Sequence, residues 1–572
     1  MHDPRVERLA RQGASGKMSR RQVLATGLRL GIATPLLTTM VMATPLRTSA
    51  AAPAGTPKYL SNRFQDTSTG TLTTAITGSI PDLDPHYAYD SAASMIFLGT
   101  YEMLVQYKDE STDEIAPMLA TSWEEAADGT SVTFTIPEGV TFHDGTPCDA
   151  ESVRASFERF LLQGAGPVNV ISRFIDDPAN FIVVSPTEIK FELGRPQPLF
   201  LPALASSYGP FVINTKLVDE HKTEEDPFAH EYFRENVVGT GPYLLSENLP
   251  NEQIVLKRFD DFHGGWADPH FDTIVARVVP ENATRRQLIE TGEIDVLANY
   301  LTADDSAAMA TSPDLTVMAY PSTAVYWTMM NAPLLKTVEA RQGFSYAFPY
   351  AELMESVYQG YIKRSGAIPS TVLGYDPDVF LYETDLTKAK ELLLAGGMVE
   401  GDSWEYAVDG GVPEDSTVAQ LFQENLQSIG FDLEIVTFER GSLLDLIYGD
   451  SPAEERPAFI GGWGWWPDYN DPWNQLAPNF LEASSGGGGS NGGYWVNERF
   501  EEIMAQVEVF TDQTEMLTLM KEAQNILTEL DPPVLYYGEI QWTTTLRNNI
   551  TGFIPNPLYL NAYNFRGMYR TE

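Results

Sequence analysis

From Thr71 onward the chain alternates short runs of period-two hydrophobicity with longer stretches of helical period, which predicts a mixed α/β fold. Thr71 to Thr77 reads as a strand, Ser91 to Leu104 as a helix, and Ser131 to Ile136 as an edge strand with alternating apolar positions. Asp149 is placed to cap a helix running to Leu162, which Gly164 and Gly166 end. Ile189 to Leu193 is a strand. The run Val238-Gly239-Thr240-Gly241-Pro242-Tyr243 is a tight turn into a strand, and Gln253 to Arg258 is another. In the second half Asp385 caps Leu386 to Ala395, and Gly396-Gly397 stops it. Ser416 to Ser428 is helical, Gly430 stops it, and Phe431 to Phe438 is a β-run, half of a βαβ unit. The segment Ser484 to Gly493 predicts a flexible loop. Two helices follow, Asn497 to Phe510 and Glu515 to Leu530. Pro532-Pro533 ends them, and Val534 to Tyr537 opens a last strand. No internal repeat is present, which argues against an adhesin or structural array.

Before Thr71 the pattern differs. Ser19-Arg20-Arg21-Gln22-Val23-Leu24 precedes a mildly apolar stretch to Leu46, broken by Arg29, Pro35 and Pro45, and then the small residues Thr48 to Ala52. Basic, apolar and small-residue regions in that order read as a cleaved export signal over residues 1–52, and the paired arginines point to the twin-arginine route. The unbroken apolar run is shorter than the ~20 residues a membrane span needs. Residues 53–70 are polar and read as a linker.

The only cysteine is Cys148, so neither a disulfide framework nor a cysteine metal site is available, and no cysteine follows the signal to carry a lipid. The net charge is −42, and residues 1–52 are net basic, so the exported part is more acidic still. Such a surface repels nucleic acid and anionic lipid and favours solubility. The seven histidines lack metal-ligand spacing.

The most informative chemistry lies in Gly461 to Trp473, GGWGWWPDYNDPW, which holds Trp463, Trp465, Trp466 and Trp473 with Asp468 and Asp471 among them. Buried aspartates and two prolines are awkward for a core strand, and so many indoles are awkward for a solvated loop. The composition suits a concave wall that stacks on a ligand and fixes a polar or cationic group with a carboxylate.

Six segments in order carry a resemblance. They are Leu83-Asp84-Pro85-His86, Leu119-Ala120-Thr121-Ser122-Trp123, Phe142-His143-Asp144-Gly145-Thr146-Pro147, Gly239 to Tyr243, Ala340 to Ala347, and Gly464-Trp465 with Asp468 to Pro472. With them the chain resembles bacterial extracellular solute-binding proteins of family 5, the peptide/nickel-type receptors of ABC importers. The resemblance implies an α/β periplasmic binding protein-like fold of the three-domain class, with two lobes joined by a hinge. Domain I would comprise 71–98, 191–319 and 533–572, domain II 99–190, and domain III 320–532. It also implies a monomeric receptor in the periplasm that hands a small molecule to permease subunits, without cofactor, metal or nucleic acid. In peptide-binding members the Asp of the Gly-Trp-x-x-Asp-Tyr stretch holds the ligand's α-amine, and that position is Asp468 here. Trp465 belongs to the same motif. Trp463, Trp466, Tyr326, Trp327 and Tyr87 are further expected ligand contacts, with Tyr89 beside Tyr87; Asp471 reads as a turn former. Ala347-Phe348-Pro349-Tyr350 departs from the family's usual Ala-Ile-Asp-Arg, and Pro349 either disturbs the helix there or starts the next one.

The ligand expected is a peptide or amino-acid derivative. The extra tryptophans keep opine-like conjugates and oligosaccharides open. An exported hydrolase is the rival class, but neither Gly-x-Ser-x-Gly nor His-Glu-x-x-His occurs.

Overall fold

A computed structural model describes residues 70–298, 302–449, 451–487 and 489–571. The export signal and nearly all of the linker lie outside the described residues. Among the described residues no helix is long and apolar enough to cross a membrane.

Three sheets organise the chain. The first has the order Thr71–Ile76, Thr273–Val278, Gln253–Arg258, Tyr243–Leu249. Its first pair is parallel and the others antiparallel. The helix Ser91–Thr100 belongs to the same core, through Ile96 and Phe97, and Asp90 caps it by accepting from the N–H groups of Ala92 (2.9 Å) and Ala93 (3.1 Å). This helix ends earlier than Leu104 because the chain turns at Tyr101 and Glu102–Met103 pairs with Phe211–Val212.

The second sheet orders Ser122–Glu125, Ser131–Thr135, Glu188–Glu192 and Phe181–Ser185, all antiparallel. Alternation sends Val132, Phe134, Ile189 and Phe191 to one face, where Phe157 and Phe160 of the helix Ala150–Gln163 bury them. Asp149 caps that helix, accepting from the Ser152 N–H at 3.0 Å.

The third sheet has seven strands. Two long ones, Leu315–Met330 and Val534–Arg547, run antiparallel through its middle. At one end they meet Val296–Ala298, and at the other Leu315–Met330 pairs with Phe459–Trp465. Ser403–Asp409 lies beside Phe459–Trp465, and Asp432–Phe438 forms the edge; both of these pairings are parallel. The unit Ser403–Asp409, helix Pro413–Ser428, Asp432–Phe438 is therefore a complete βαβ crossover. The two faces of the sheet are covered separately. Val325, Trp327, Met329 and Ile460 enter one core with the helices Glu498–Glu508 and Gln513–Asn525. Met330, Phe459 and Leu535 enter another with Phe344 and Phe422. The long ladder is interrupted between Pro321 and Val325 and again between Tyr326 and Trp327. Hydroxyls hold the first break: the buried Ser322 donates to the Ile540 carbonyl at 2.5 Å and the half-buried Thr371 to the Ser322 carbonyl at 2.5 Å.

Two expectations change, and one open alternative is resolved. Gly461 to Trp465 is a strand after all, in the interior of the sheet rather than in a loop. The prolines and aspartates that argued against it all follow Trp465, and its glycines leave room for neighbouring rings. Ser484 to Gly493 is a folded turn where described: Ser490 and Asn491 are buried, and the Asn491 amide donates to the carbonyls of Leu481 (3.0 Å) and Trp495 (2.9 Å). Pro349 leaves the helix Val338–Ala347 intact and precedes the next turn, Tyr350–Glu352.

Candidate functional site

The strand Phe459–Trp465 and the parallel strand Ser403–Asp409 present their carboxyl ends on the same side, where α/β sheets commonly bind ligands. Two cavities open beside this edge. The first, of about 560 Å³, is lined by Tyr89, Arg173, Arg195, Trp465, Asp468 and Trp473, among others. The second, of about 510 Å³, is lined by Tyr326, Asp409, Glu414, Asp415, Trp466 and Trp542, among others. The run Trp463 to Asp468 contributes to both.

Asp468 is 8% exposed and sits in the wall of the first cavity. Its loop is fixed on both sides: the Asp468 N–H donates to Asn474 Oδ1 at 2.8 Å, and its carbonyl accepts from Ser206 Oγ at 2.8 Å. The carboxylate accepts from Tyr89 Oη at 2.5 Å and from Asn474 Nδ2 at 3.1 Å. Both donors are neutral, and no cation pairs with Asp468 among the described residues. Burial therefore dominates and pushes its carboxyl up to about 6, with the Tyr89 and Asn474 bonds opposing and the Asp471 charge adding to the rise.

Asp471 is held differently. It caps the helix Pro472–Phe480 by accepting from the Trp473 N–H at 2.8 Å, and it forms a buried ion pair with Arg173. The Arg173 guanidinium also lies 4.4 Å from the centroid of the Trp473 ring and reaches Tyr469 Oη at 3.2 Å. Arg173 thus fastens the body built on the second sheet to the tryptophan-rich segment. The turn-forming role expected of Asp471 is present, and the ion pair is an addition that spacing did not reveal.

The remaining candidates divide. Trp465 lines the first cavity and donates its indole N–H to the Asn474 carbonyl at 2.9 Å. Trp466 and Tyr326 line the second cavity, both half-buried. Trp463 touches the second cavity, but its ring packs on Tyr448 and it is 6% exposed. Trp327 is core: it is 1% exposed and packs against Phe480 and Tyr536. It shares a sheet face with Trp463, and the core on that face encloses it. Tyr87 stacks on His230 with centroids 3.9 Å apart and lines neither cavity. Its neighbour Tyr89 reaches Asp468 instead. Asn474, Arg173, Asp415 and Trp542 escaped sequence reasoning. Of these only Asp415 carried a signal, as an acid in the first turn of a helix that follows a strand end. Among the described residues no cluster of His, Cys, Asp and Glu side chains is arranged to hold a metal ion.

Comparison with known proteins gives the family and the fold. The chain is 27% identical over 503 residues to the Escherichia coli K12 protein described as probable D,D-dipeptide-binding periplasmic protein DdpA, covering 85% of this chain and 92% of that one. It is 28% identical over 489 residues to the dipeptide-binding protein of the same organism, covering 80% and 87%. The Helicobacter pylori periplasmic binding protein DppA, solved with the peptide STSA, shares the fold with a TM-score of 0.71 at 24% identity, over 88% of this chain and 98% of that one. The family model for bacterial extracellular solute-binding proteins, family 5 Middle, matches residues 114–487, so the chain belongs to that family.

Proposed function

We propose that this solute-binding protein captures a peptide or amino-acid derivative outside the cytoplasm and delivers it to the permease of an ABC importer. The observation that carries the reading is Asp468: a buried carboxylate, bonded only by neutral donors, in the wall of a cavity large enough for a short peptide. A ligand ammonium supplies the missing cation through a charge-assisted hydrogen bond. The dipeptide-binding relatives support the same class. Closure turns on the two long strands, whose interrupted ladder between Pro321 and Val325 is the natural flexing point. The twin-arginine signal supplies export to the periplasm, and no lipid anchors the product. The protein acts by binding rather than by bond chemistry.

A second reading, opine-like conjugates or oligosaccharides, rests on the indoles of Trp465 and Trp466 at the two cavities. Thermal shift against a dipeptide pool and against a pool of opines and oligosaccharides separates the two, since a ligand at 100 times its Kd stabilises by about 2.7 kcal/mol. Dipeptides are expected to raise the midpoint and lose that effect in Asp468→Asn. A response confined to the sugar pool overturns the peptide reading.

A further inference from the structure

The second cavity has a composition that an α-amine at Asp468 does not explain. Asp415 is 3% exposed and lines it. Apart from the backbone N–H of Asp409, nothing donates to the Asp415 carboxylate among the described residues, and no cation forms an ion pair with it. The nearest positive group, Arg440, is an exposed side chain committed to Asp409 at 3.3 Å. Three carboxylates, Asp409, Glu414 and Asp415, therefore face one guanidinium around a space of about 510 Å³. Burial, reinforced by Asp409 and Glu414, pushes the Asp415 carboxyl up to about 7. The floor is built for this acid. A Cβ on Gly462, whose φ is +67°, would lie 2.0 Å from the Asp415 carboxylate, and one on Gly464 would lie 2.3 Å from the Tyr326 ring. Both side chains rest directly on the bare backbone of the strand.

The walls are aromatic: Trp466, Trp542, Tyr326 and Tyr358. Indole and phenol faces with an unpaired buried carboxylate form the standard chemistry for holding an organic cation. A carboxylate-bearing ligand end is repelled here. A purely apolar one brings no cation to the buried Asp415 carboxylate and leaves burial favouring its protonated form.

We infer that this second cavity receives an ammonium or guanidinium group of the ligand, so that the protein selects peptides or amino-acid derivatives with a basic side chain. The inference rests on the α-amine being held at Asp468. Trp466, in the second cavity, and Asp468, in the first, are separated by Pro467 alone, so both cavities lie against one short stretch of backbone.

The test is a titration of the full exported chain, followed by calorimetry, with Ala-Lys, Ala-Arg, Ala-Gln and Ala-Glu, and with agmatine as a basic amine that is not a peptide. Ala-Lys and Ala-Arg are expected to bind at least about tenfold more tightly than Ala-Gln, with Ala-Glu weakest. In Asp415→Asn the preference for basic side chains, read as the ratio of Ala-Lys to Ala-Gln affinity within each protein, is expected to fall to within about threefold. Glu414→Gln, at a half-buried neighbour, is expected to lower the preference partly and serves if Asp415→Asn does not fold. Dipeptides that bind without regard to side-chain charge overturn the inference and leave the peptide reading standing. Agmatine binding that is lost in Asp415→Asn, with every dipeptide silent, overturns the selection of basic peptides and the peptide reading together. A preference for Ala-Glu contradicts the charge argument outright.

Discussion

Replacing Asp468 by Asn separates its cost to the fold from its use to the ligand. In the folded protein the carboxyl is pushed from its ordinary 3.8 up to about 6, so the native state holds the Asp468 proton more tightly than the unfolded chain does. At 1.36 kcal/mol per unit, keeping this group ionised in the native state costs about 3 kcal/mol. The sign follows from linkage: the native state is favoured by the proton below pH ~4, and that advantage is lost as pH rises through about 6. Asn carries no charge and escapes the loss. It does turn an amide N–H toward Asn474 Nδ2, which donates to Asp468 at 3.1 Å, and that mismatch costs about 1 kcal/mol. The variant is thus expected to be about 2 kcal/mol more stable than the wild type at pH 7.5, and no more stable at pH 4. An unfolding entropy of ~2.1 cal/mol/K per residue over roughly 500 residues converts this to a Tm about 2 °C higher. Differential scanning calorimetry across that pH range reads it. A variant destabilised by one constant amount at every pH would show that Asp468 carries no uncompensated charge, and the argument for a cationic ligand would fail with it.

Other outcomes follow from the same geometry. Affinity for a neutral-side-chain dipeptide is expected to fall as pH drops below about 6, approaching tenfold per pH unit, because protons compete with the ligand ammonium for Asp468; calorimetric titration from pH 4.5 to 7.5 checks this, and Asp468→Asn is expected to give a flat profile. Arg173→Ala leaves the fully buried Asp471 without its cation and is expected to cost about 3–5 kcal/mol, read as a lowered Tm; Asp471→Asn with Arg173→Met is expected to recover most of the loss. Gly462→Ala places a methyl on the Asp415 carboxylate at a φ of +67°, so weakened binding of basic dipeptides is expected to exceed any loss of Ala-Gln affinity. Lysines in place of Arg20 and Arg21 are expected to retain the unprocessed precursor in the cytoplasm, seen by fractionation.

Local chemistry was legible and distant pairing was not. The helix Leu386–Ala395 ends where the sequence places it, because its Asp385 cap and the following Gly396 decide its limits. The strand Leu315–Met330 was not read as one element, because its partner Val534–Arg547 lies more than 200 residues away and the pairing leaves no local signal. The same holds at the site. Asp468 was found because its motif is contiguous. The Tyr89 hydroxyl that meets it, 379 residues earlier, leaves no trace in any local pattern, nor does the Arg173 that pairs with Asp471 from 298 residues away. Trp327 was misplaced because the rings that enclose it, Phe480 and Tyr536, come from segments more than 150 residues away. The indoles of Gly461 to Trp473 suggested one wall, whereas the strand distributes them among two cavities and a core.

The most direct test of the account is a crystal structure of the protein with a bound basic dipeptide. The account predicts the ligand's α-ammonium about 2.7–2.9 Å from an Asp468 carboxylate oxygen, with its side chain directed toward Asp415. A ligand seated elsewhere, with Asp468 still bonded only to Tyr89 and Asn474, would contradict it.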